Sequence, residues 1–333
     1  MKLVVRSLLL LFVMAACAVL WTLTRPVEAR SSVIVYIPAS ASSSRAVRIL
    51  RDAGVVTQTQ PLRTVLAIAA RVSGRGLHRG SYEFTKDDTY WQVVKSLVAG
   101  DGVLTVRVTF PEGITLRRFA SIVGSRIGSD SAAFLRYLYG DSLRSAWGMS
   151  GGSAEGYLMP DTYDFYLRQP VAEIADRLLK QQREVWARRF AERAESTGFS
   201  KHQILTLASI VESETSADAE RARIAGVYLN RLRRGMKLAA DPTVQYALGG
   251  QARRLLYRDL EIDDPYNTYR HAGLPPGPIC APGSSSIEAA IAPESHDFLY
   301  FCARGDGSGL HAFATTGAEH ARNVARYREQ RNR

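Results

Sequence analysis

The sequence predicts an α+β protein with an N-terminal transmembrane helix, small strand-helix-helix-strand units, and a mostly helical domain carrying short strands. Three observations point to it. An uncharged apolar run from Leu8 to Leu23 follows Lys2 and Arg6. A pattern of strand, two helices and returning strand occurs twice between Val33 and Phe165. Beyond it, segments of helical periodicity dominate, interrupted by Pro- and Gly-rich loops.

A chain of 333 residues is long enough for two folded units, and its 46% hydrophobic content excludes intrinsic disorder as the overall class. Three cysteines are too few for a disulfide-stapled scaffold. The 43 Lys+Arg against 32 Asp+Glu leave a net charge of +11, which permits an anionic partner without choosing one. Nucleic acid is excluded as that partner. Zinc-finger spacing and aromatic RNA-binding motifs are lacking, and the arginines scatter over helix surfaces or gather in a solvated tail at Arg322, Arg326, Arg328, Arg331 and Arg333.

The first 30 residues set the compartment. The favoured reading is a signal anchor, with Lys2 and Arg6 in the cytoplasm and Trp21 at the far interface. A cleaved signal peptide would have only Val27-Glu28-Ala29 as its site, and a lipoprotein would use Cys17, past which the apolar run continues. All three readings export the rest of the chain.

In the first repeat, a strand at Val33 to Ile37 precedes a small-residue turn at Ser40 to Ser44. Helices then run from Arg45 to Ala53 and Leu62 to Val72, and Gly80 to Phe84 returns as a strand. The segment from Trp91 to Val98 is a short amphipathic helix stopped by Gly100. In the second repeat, a strand at Leu104 to Phe110 ends at Pro111. Helices follow at Leu116 to Arg126 and Ser131 to Tyr139, and Gly156-Tyr157-Leu158 opens the return. Such units resemble the LysM-like modules that bind peptidoglycan glycan chains, the second more than the first. Two small supporting units remain the alternative, since Pro111-Glu112-Gly113 is also a good strand-to-helix turn. The expected domains are 1–30 (cytoplasmic tip and anchor), 31–103, 104–166 (LysM-like) and 167–333 (catalytic).

The second half opens with a charged helix from Val171 to Ser196. Ser200 and Gln203 form a capping box for an apolar helix from Lys201 to Thr215, and another helix runs from Asp218 to Arg234. Loops then dominate to residue 284. A turn at Ile287 to Ala292, strands at Leu299 to Ala303 and Ala312 to Ala314 around a glycine loop, and a closing helix follow.

Glu212 stands out by spacing. It continues the apolar stripe of Leu205 and Ala208, so its carboxyl faces the core. Burial disfavours the charged form of a carboxyl and suits it to donate a proton; the alternative is a structural ion pair with an arginine. Glu214 lies about 200° around the same helix. Downstream, Asp241-Pro242-Thr243, Pro265 to Tyr269 and Gly273 to Pro278 combine rigid turns with tyrosines and an amide, a composition suited to sugars.

Together these strings form a recognisable series: Ala208-Ser209-Ile210-Val211-Glu212-Ser213-Glu214-Thr215, Val227 to Leu232, Gly235 to Leu238, Asp241 to Val244, Tyr266 to Tyr269, Gly273 to Ile279 and, upstream, Glu155 to Tyr163. The series resembles the endolytic murein transglycosylase (MltG or YceG-like) family over nearly the whole chain. The resemblance implies a single-pass inner-membrane enzyme whose outer, periplasmic part cuts nascent peptidoglycan strands internally. It maps the catalytic glutamate to Glu212. A lytic transglycosylase uses the substrate's C6 hydroxyl as nucleophile, so one residue can protonate the bridging oxygen and then deprotonate that hydroxyl. Glu214, Asn230, Asp241, Thr243, Asn267 and Tyr269 are the candidates for positioning the sugar, each also readable as a cap or turn residue. His311 has two readings, a residue lining the cleft and, favoured, an exposed loop histidine. Cys302 and the Gly305 to Gly309 loop depart from the family pattern.

Two other readings stay open. One is a peptidoglycan hydrolase pairing Glu212 with Asp241 or Glu214; the other is a non-catalytic, membrane-anchored wall-binding scaffold. No metal and no organic cofactor are expected. The partners are peptidoglycan, the membrane and, by resemblance, penicillin-binding proteins. Cys280 and Cys302 sit in apolar settings where a disulfide or two free thiols are both natural.

Overall fold

The computed structural model describes residues 2–74, 76–250 and 253–331, where the chain is mixed α and β, mostly helical with short strands. Two compact units form. One comprises Met1–Val108, Ser125–Ser129 and Tyr163–Pro170, the other Thr109–Gly124, Asp130–Thr162 and Val171–Arg333. The tail residue Arg333 lies outside the described residues.

The first unit begins with α1 (Lys2–Thr24). Among the described residues no helix is long and apolar enough to cross a membrane. The first repeat follows as β1 (Val33–Ile37), α2 (Ser43–Asp52), α3 (Thr59–Ser73) and β2 (Gly80–Phe84). The strands pair antiparallel, from Val33 opposite Phe84 to Ile37 opposite Gly80. Ser42 caps α2 by accepting the Arg45 N–H. Next, α4 (Tyr90–Ala99) starts in a Thr89/Gln92 capping box and stops at left-handed Gly100. Ile37, Leu50, Leu62, Leu66, Val93 and Leu97 are fully buried in one core. Tyr90 crosses that core, where its hydroxyl accepts the N–H groups of Thr57 and Gln58 and donates to Glu28 at 2.9 Å.

The second repeat returns later than its sequence suggests. Here β3 (Thr105–Thr109) pairs with β4 (Thr162–Tyr166), whereas Tyr157 lies in a buried turn, its N–H bonded to the Ala154 carbonyl. Pro160 has no N–H for a ladder, so pairing starts beyond it. Two helices expected between the strands are present as α5 (Leu116–Ile122) and α6 (Ser131–Leu138). The first is shortened by a π-helical turn at Val123–Ile127, and a further helix, α7 (Asp141–Trp147), was not expected.

In the second unit, the charged helix divides at buried Phe190 into α8 (Val171–Arg189) and α9 (Ala191–Glu195). The capping box at Ser200 and Gln203 starts α10 (Lys201–Glu214), in which every residue from Ile204 to Val211 is buried. It packs against α11 (Asp218–Arg233) and, after the short α12 (Asp241–Ala247), against α13 (Ser284–Ile291). The Asp241-Pro242-Thr243 segment is thus a helix start, because proline in the first turn fixes φ and gives up an N–H that has no partner there. A last antiparallel pair, β5 (Tyr300–Ala303) with β6 (His311–Ala314), precedes α14 (Gly317–Arg331), which buries no residue.

Removing the Tyr90 hydroxyl takes the partner from the Gln58 N–H and a donor from Glu28, while Thr57 N–H keeps its bond to Glu28 at 3.2 Å. Tyr90→Phe is expected to cost about 1–3 kcal/mol in urea unfolding. An unchanged midpoint would show that water takes over the lost bonds.

Candidate active site

The carboxyl of Glu212, near the C-terminal end of α10, is 8% exposed and faces Arg221, itself 7% exposed, from the second turn of α11. Three donors converge on one oxygen, Oε2: Arg221 Nη1 at 2.9 Å, Ser286 Oγ at 2.8 Å and the Gly283 backbone N–H at 3.1 Å. Arg221 also donates through Nε to Asp218 at 2.8 Å, which orients its fork. Among the described residues Oε1 receives no hydrogen bond. One oxygen is therefore fixed and its twin is left for a proton or a ligand.

The wall facing Glu212 is backbone. Gly113 N–H donates to the Ala281 carbonyl at 2.8 Å, and Ala281 N–H to the Ile114 carbonyl at 2.9 Å. Gly113 has φ +74, the left-handed backbone of this turn that favours glycine, and it lies in contact range of Glu212, 3.6 Å from Cγ to where a Cβ would stand. The Glu112 carboxyl lies flat against Gly283, where a Cβ would overlap it. Burial, and then the charge of Glu212, push the Glu112 carboxyl above its ordinary range, against an N–H from Ser284 and the charge of Arg221.

Two further carboxyls are deeply placed. Glu155, 3% exposed, accepts the Leu116 N–H at 3.1 Å and the Tyr246 hydroxyl at 3.5 Å. Burial pushes it up to about 8, outweighing these two bonds. A cavity of about 180 Å³ beside it is lined by Thr115, Arg117, Tyr139 and Tyr246. Glu214 accepts a bond from the Tyr228 hydroxyl and is pushed by burial up to about 7. It opens on a separate cavity of about 230 Å³ with Arg231, Asp241, Tyr269 and His311. A roomier space of about 750 Å³, bounded by Arg223, Phe298, Arg304 and Asp306, includes none of the groups around Glu212.

A model of the YceG-like family matches residues 35–326. The chain belongs to the YceG-like family. It is 31% identical over 327 residues to the endolytic murein transglycosylase of Bacillus subtilis (strain 168), covering 93% of this chain and 89% of that one. It is 29% identical over 336 residues to the endolytic murein transglycosylase of Streptococcus pneumoniae (strain D39 / NCTC 7466), spanning 91% of this chain and 60% of that protein's length. A crystal structure of a yceG-like protein from Listeria monocytogenes superposes with a TM-score of 0.61 at 32% identity, covering 88% of this chain and 99% of that one.

In this YceG-like chain the residues selected from sequence separate into groups. Glu212 has its own set of donors. Glu214, Asp241 and Tyr269 share the second cavity, where the Tyr269 hydroxyl donates to Asp241 at 2.6 Å. Asn230, Thr243 and Asn267 face inward as ties: Asn230 donates to the His296 and Phe298 carbonyls, Thr243 bonds the Ala240 carbonyl and Thr268, and Asn267 donates to the Leu260 and Ile262 carbonyls. His311 is no exposed loop residue; its ring Nδ1 lies 2.8 Å from Glu220 and is 12% exposed. Cys280 and Cys302 are free thiols. Sequence reasoning passed over Arg221, Gly283 and Ser286, and read Glu112 as a turn residue. Only the Asp218/Arg221 spacing on one helix face hinted at an oriented guanidinium.

The raised Glu155 sets a pH dependence. Folded chain holds this proton up to about pH 8 while an unfolded glutamate releases it near 4.5, so its contribution to stability is intact below that range and lost as pH rises through it. Glu155→Gln, which cannot ionise, is expected to gain on the wild type between pH 4 and pH 9 by a few kcal/mol, on the order of the linkage expected for such a shift. A pH-independent difference in unfolding free energy would refute the assignment.

Proposed function

We propose that this protein is a peptidoglycan lytic transglycosylase that cuts the MurNAc-GlcNAc bond inside nascent strands and leaves 1,6-anhydroMurNAc ends, with Glu212 as acid and then base. One observation carries the reading: a nearly buried carboxyl with one oxygen held by three donors and the other open. The names of the relatives in Bacillus subtilis and Streptococcus pneumoniae support the same chemistry.

A proton on Oε1 passes to the bridging oxygen as the C1–O bond breaks. The cation Arg221 and the donors Ser286 and Gly283 stabilise the carboxylate that remains. That carboxylate faces the developing oxocarbenium charge, then takes the proton of the C6 hydroxyl as its oxygen closes on C1. The intramolecular nucleophile makes an activated water unnecessary. The hydrolase reading loses the partners suggested for it, because Glu214 is bonded to Tyr228 and Asp241 to Tyr269, and neither shares a donor with Glu212.

In this reading the apolar run Leu8 to Leu23 of the sequence, between Arg6 and Arg25, is a single-pass inner-membrane anchor, with the remaining chain periplasmic. Residues 104–166 act as a LysM-like glycan-holding unit and 167–333 as the catalytic domain. Penicillin-binding proteins are the partners that position along a nascent strand would favour.

Mass spectrometry of fragments from uncrosslinked peptidoglycan tests the reaction. Wild type should yield 1,6-anhydroMurNAc ends, and Glu212→Gln should lower their rate of formation by about 100-fold or more. Reducing ends would instead establish hydrolysis, and glycan binding without products would establish a scaffold.

A further inference from the structure

Glu155 opens the upstream motif at Glu155 to Tyr163, yet the reaction at Glu212 gives it no part. It is 3% exposed, and its hydrogen-bond partners, the Leu116 N–H at 3.1 Å and the Tyr246 hydroxyl at 3.5 Å, are both uncharged. Its carboxyl borders the cavity of about 180 Å³, with Tyr139 and Tyr246 as aromatic walls, Thr115 beside them and exposed Arg117 at the rim. Tyr246 is itself packed on Tyr266, ring centroids 4.8 Å apart. Aromatic faces around a few convergent polar groups suit a small polar ligand with an apolar side. Burial keeps a proton on Glu155 up to about pH 8, so the group facing this space is a donor as well as an acceptor.

Two stretches of chain tie the cavity to the Glu212 site. In the first, Gly113 stands in contact range of Glu212, and Thr115, two residues on, lines the cavity. Two residues of extended chain span about 7 Å at most. In the second, Gly156 lies so close to Pro278 that a Cβ would overlap it, and the loop from Pro278 runs on to Gly283, whose N–H donates to Glu212.

We propose that this cavity is a saccharide subsite that takes the acetamido group of an N-acetylated sugar beside the bond cleaved at Glu212. The inference rests on the transglycosylase reading, and it gives the glycan-holding role of residues 104–166 a definite site, completed by Tyr246 of α12. An acetamido group presents a carbonyl acceptor, an N–H donor and a methyl. Glu155 donates to the carbonyl, the hydroxyls of Thr115 and Tyr246 accept the N–H, and the two tyrosine rings cover the methyl. A sugar with a plain hydroxyl at this position leaves those buried groups unpaired and is rejected.

The test is calorimetric titration of the full chain with tetra-N-acetylchitotetraose and with cellotetraose, which has the same linkage and no acetamido groups. Wild type should bind the acetylated tetramer at least about tenfold more tightly. Glu155→Gln keeps a donor and an acceptor and should bind it within about twofold of wild type, whereas Glu155→Leu should weaken it about tenfold. Tyr139 is 46% exposed, so Tyr139→Ala leaves the core closed and serves if Glu155→Leu does not fold; it too should weaken binding about tenfold. Equal affinity for the two tetramers, no saturable binding by wild type, or a folded Tyr139→Ala that binds as wild type does overturns the proposal. The two readings fail separately. Acetamido-dependent binding lost in Tyr139→Ala, with no anhydro ends formed from peptidoglycan, removes the reaction and keeps the subsite; anhydro ends without discrimination between the tetramers remove the subsite alone.

Discussion

The ion pair between Glu212 and Arg221 is the constraint around which the second unit is organised. A carboxylate and a guanidinium at 8% and 7% exposure need compensating hydrogen bonds beyond their own contact, and Oε2 has two, from Ser286 and Gly283. That requirement brings three helices to one point: α10 supplies the carboxyl, α11 the cation with Asp218 behind it, and α13 the Ser286 hydroxyl. The loop before α13 is laid along α10 by the same logic. Ile279 N–H donates to Ser209 Oγ at 3.0 Å, the Cys280 thiol reaches the Ser209 carbonyl at 3.4 Å, and Gly283 N–H ends the series on Glu212. Breaking the pair would leave an uncompensated buried charge and unfasten that loop.

Glu212, Glu155 and Glu214, carboxyls of one unit, are differentiated by what stands beside them. Glu212 has a full cation and three donors on one oxygen. Glu155 has only a backbone N–H and a distant tyrosine hydroxyl, so burial prevails and keeps it neutral at pH 7. Glu214 lies between, with a tyrosine donor against the burial that raises it. Environment thus separates a group suited to proton transfer from groups suited to neutral hydrogen bonding.

The loops that flank the site are rigid for identifiable reasons. The Pro- and Gly-rich segment is held by His202, whose ring bonds the Tyr157 hydroxyl at 2.9 Å on one side and the Pro276 carbonyl at 2.7 Å on the other. Asn267, Thr243, Thr268 and Asn230 satisfy backbone groups that the loop-rich stretch would otherwise bury unpaired. A polar residue in a motif is therefore as often a tie that preserves the shape of the site as a contact made by it. Sequence pattern does not distinguish the two, because both require the same donors and acceptors.

The sequence by itself determined what depends on neighbours along the chain. The periodicity of α10 placed Glu212 inward, the Ser200/Gln203 box set where that helix begins, the β-branched run Val33-Ile34-Val35 marked β1, and Tyr82 and Phe84 alternating with Ser81 and Glu83 marked β2, since each signal lies within a few residues of backbone. Pro160 and Pro242 show its limit, since each shifts an element boundary that local composition left open. Only the tertiary structure decided the chemistry. Arg221, Gly283, Ser286 and Glu112 lie 9, 71, 74 and 100 positions from Glu212, too far for any helical or strand period to relate them. Arg221, Gly283 and Ser286 meet it because a buried charge must be compensated by whatever donors the packing of α10, α11 and α13 brings within hydrogen-bond reach.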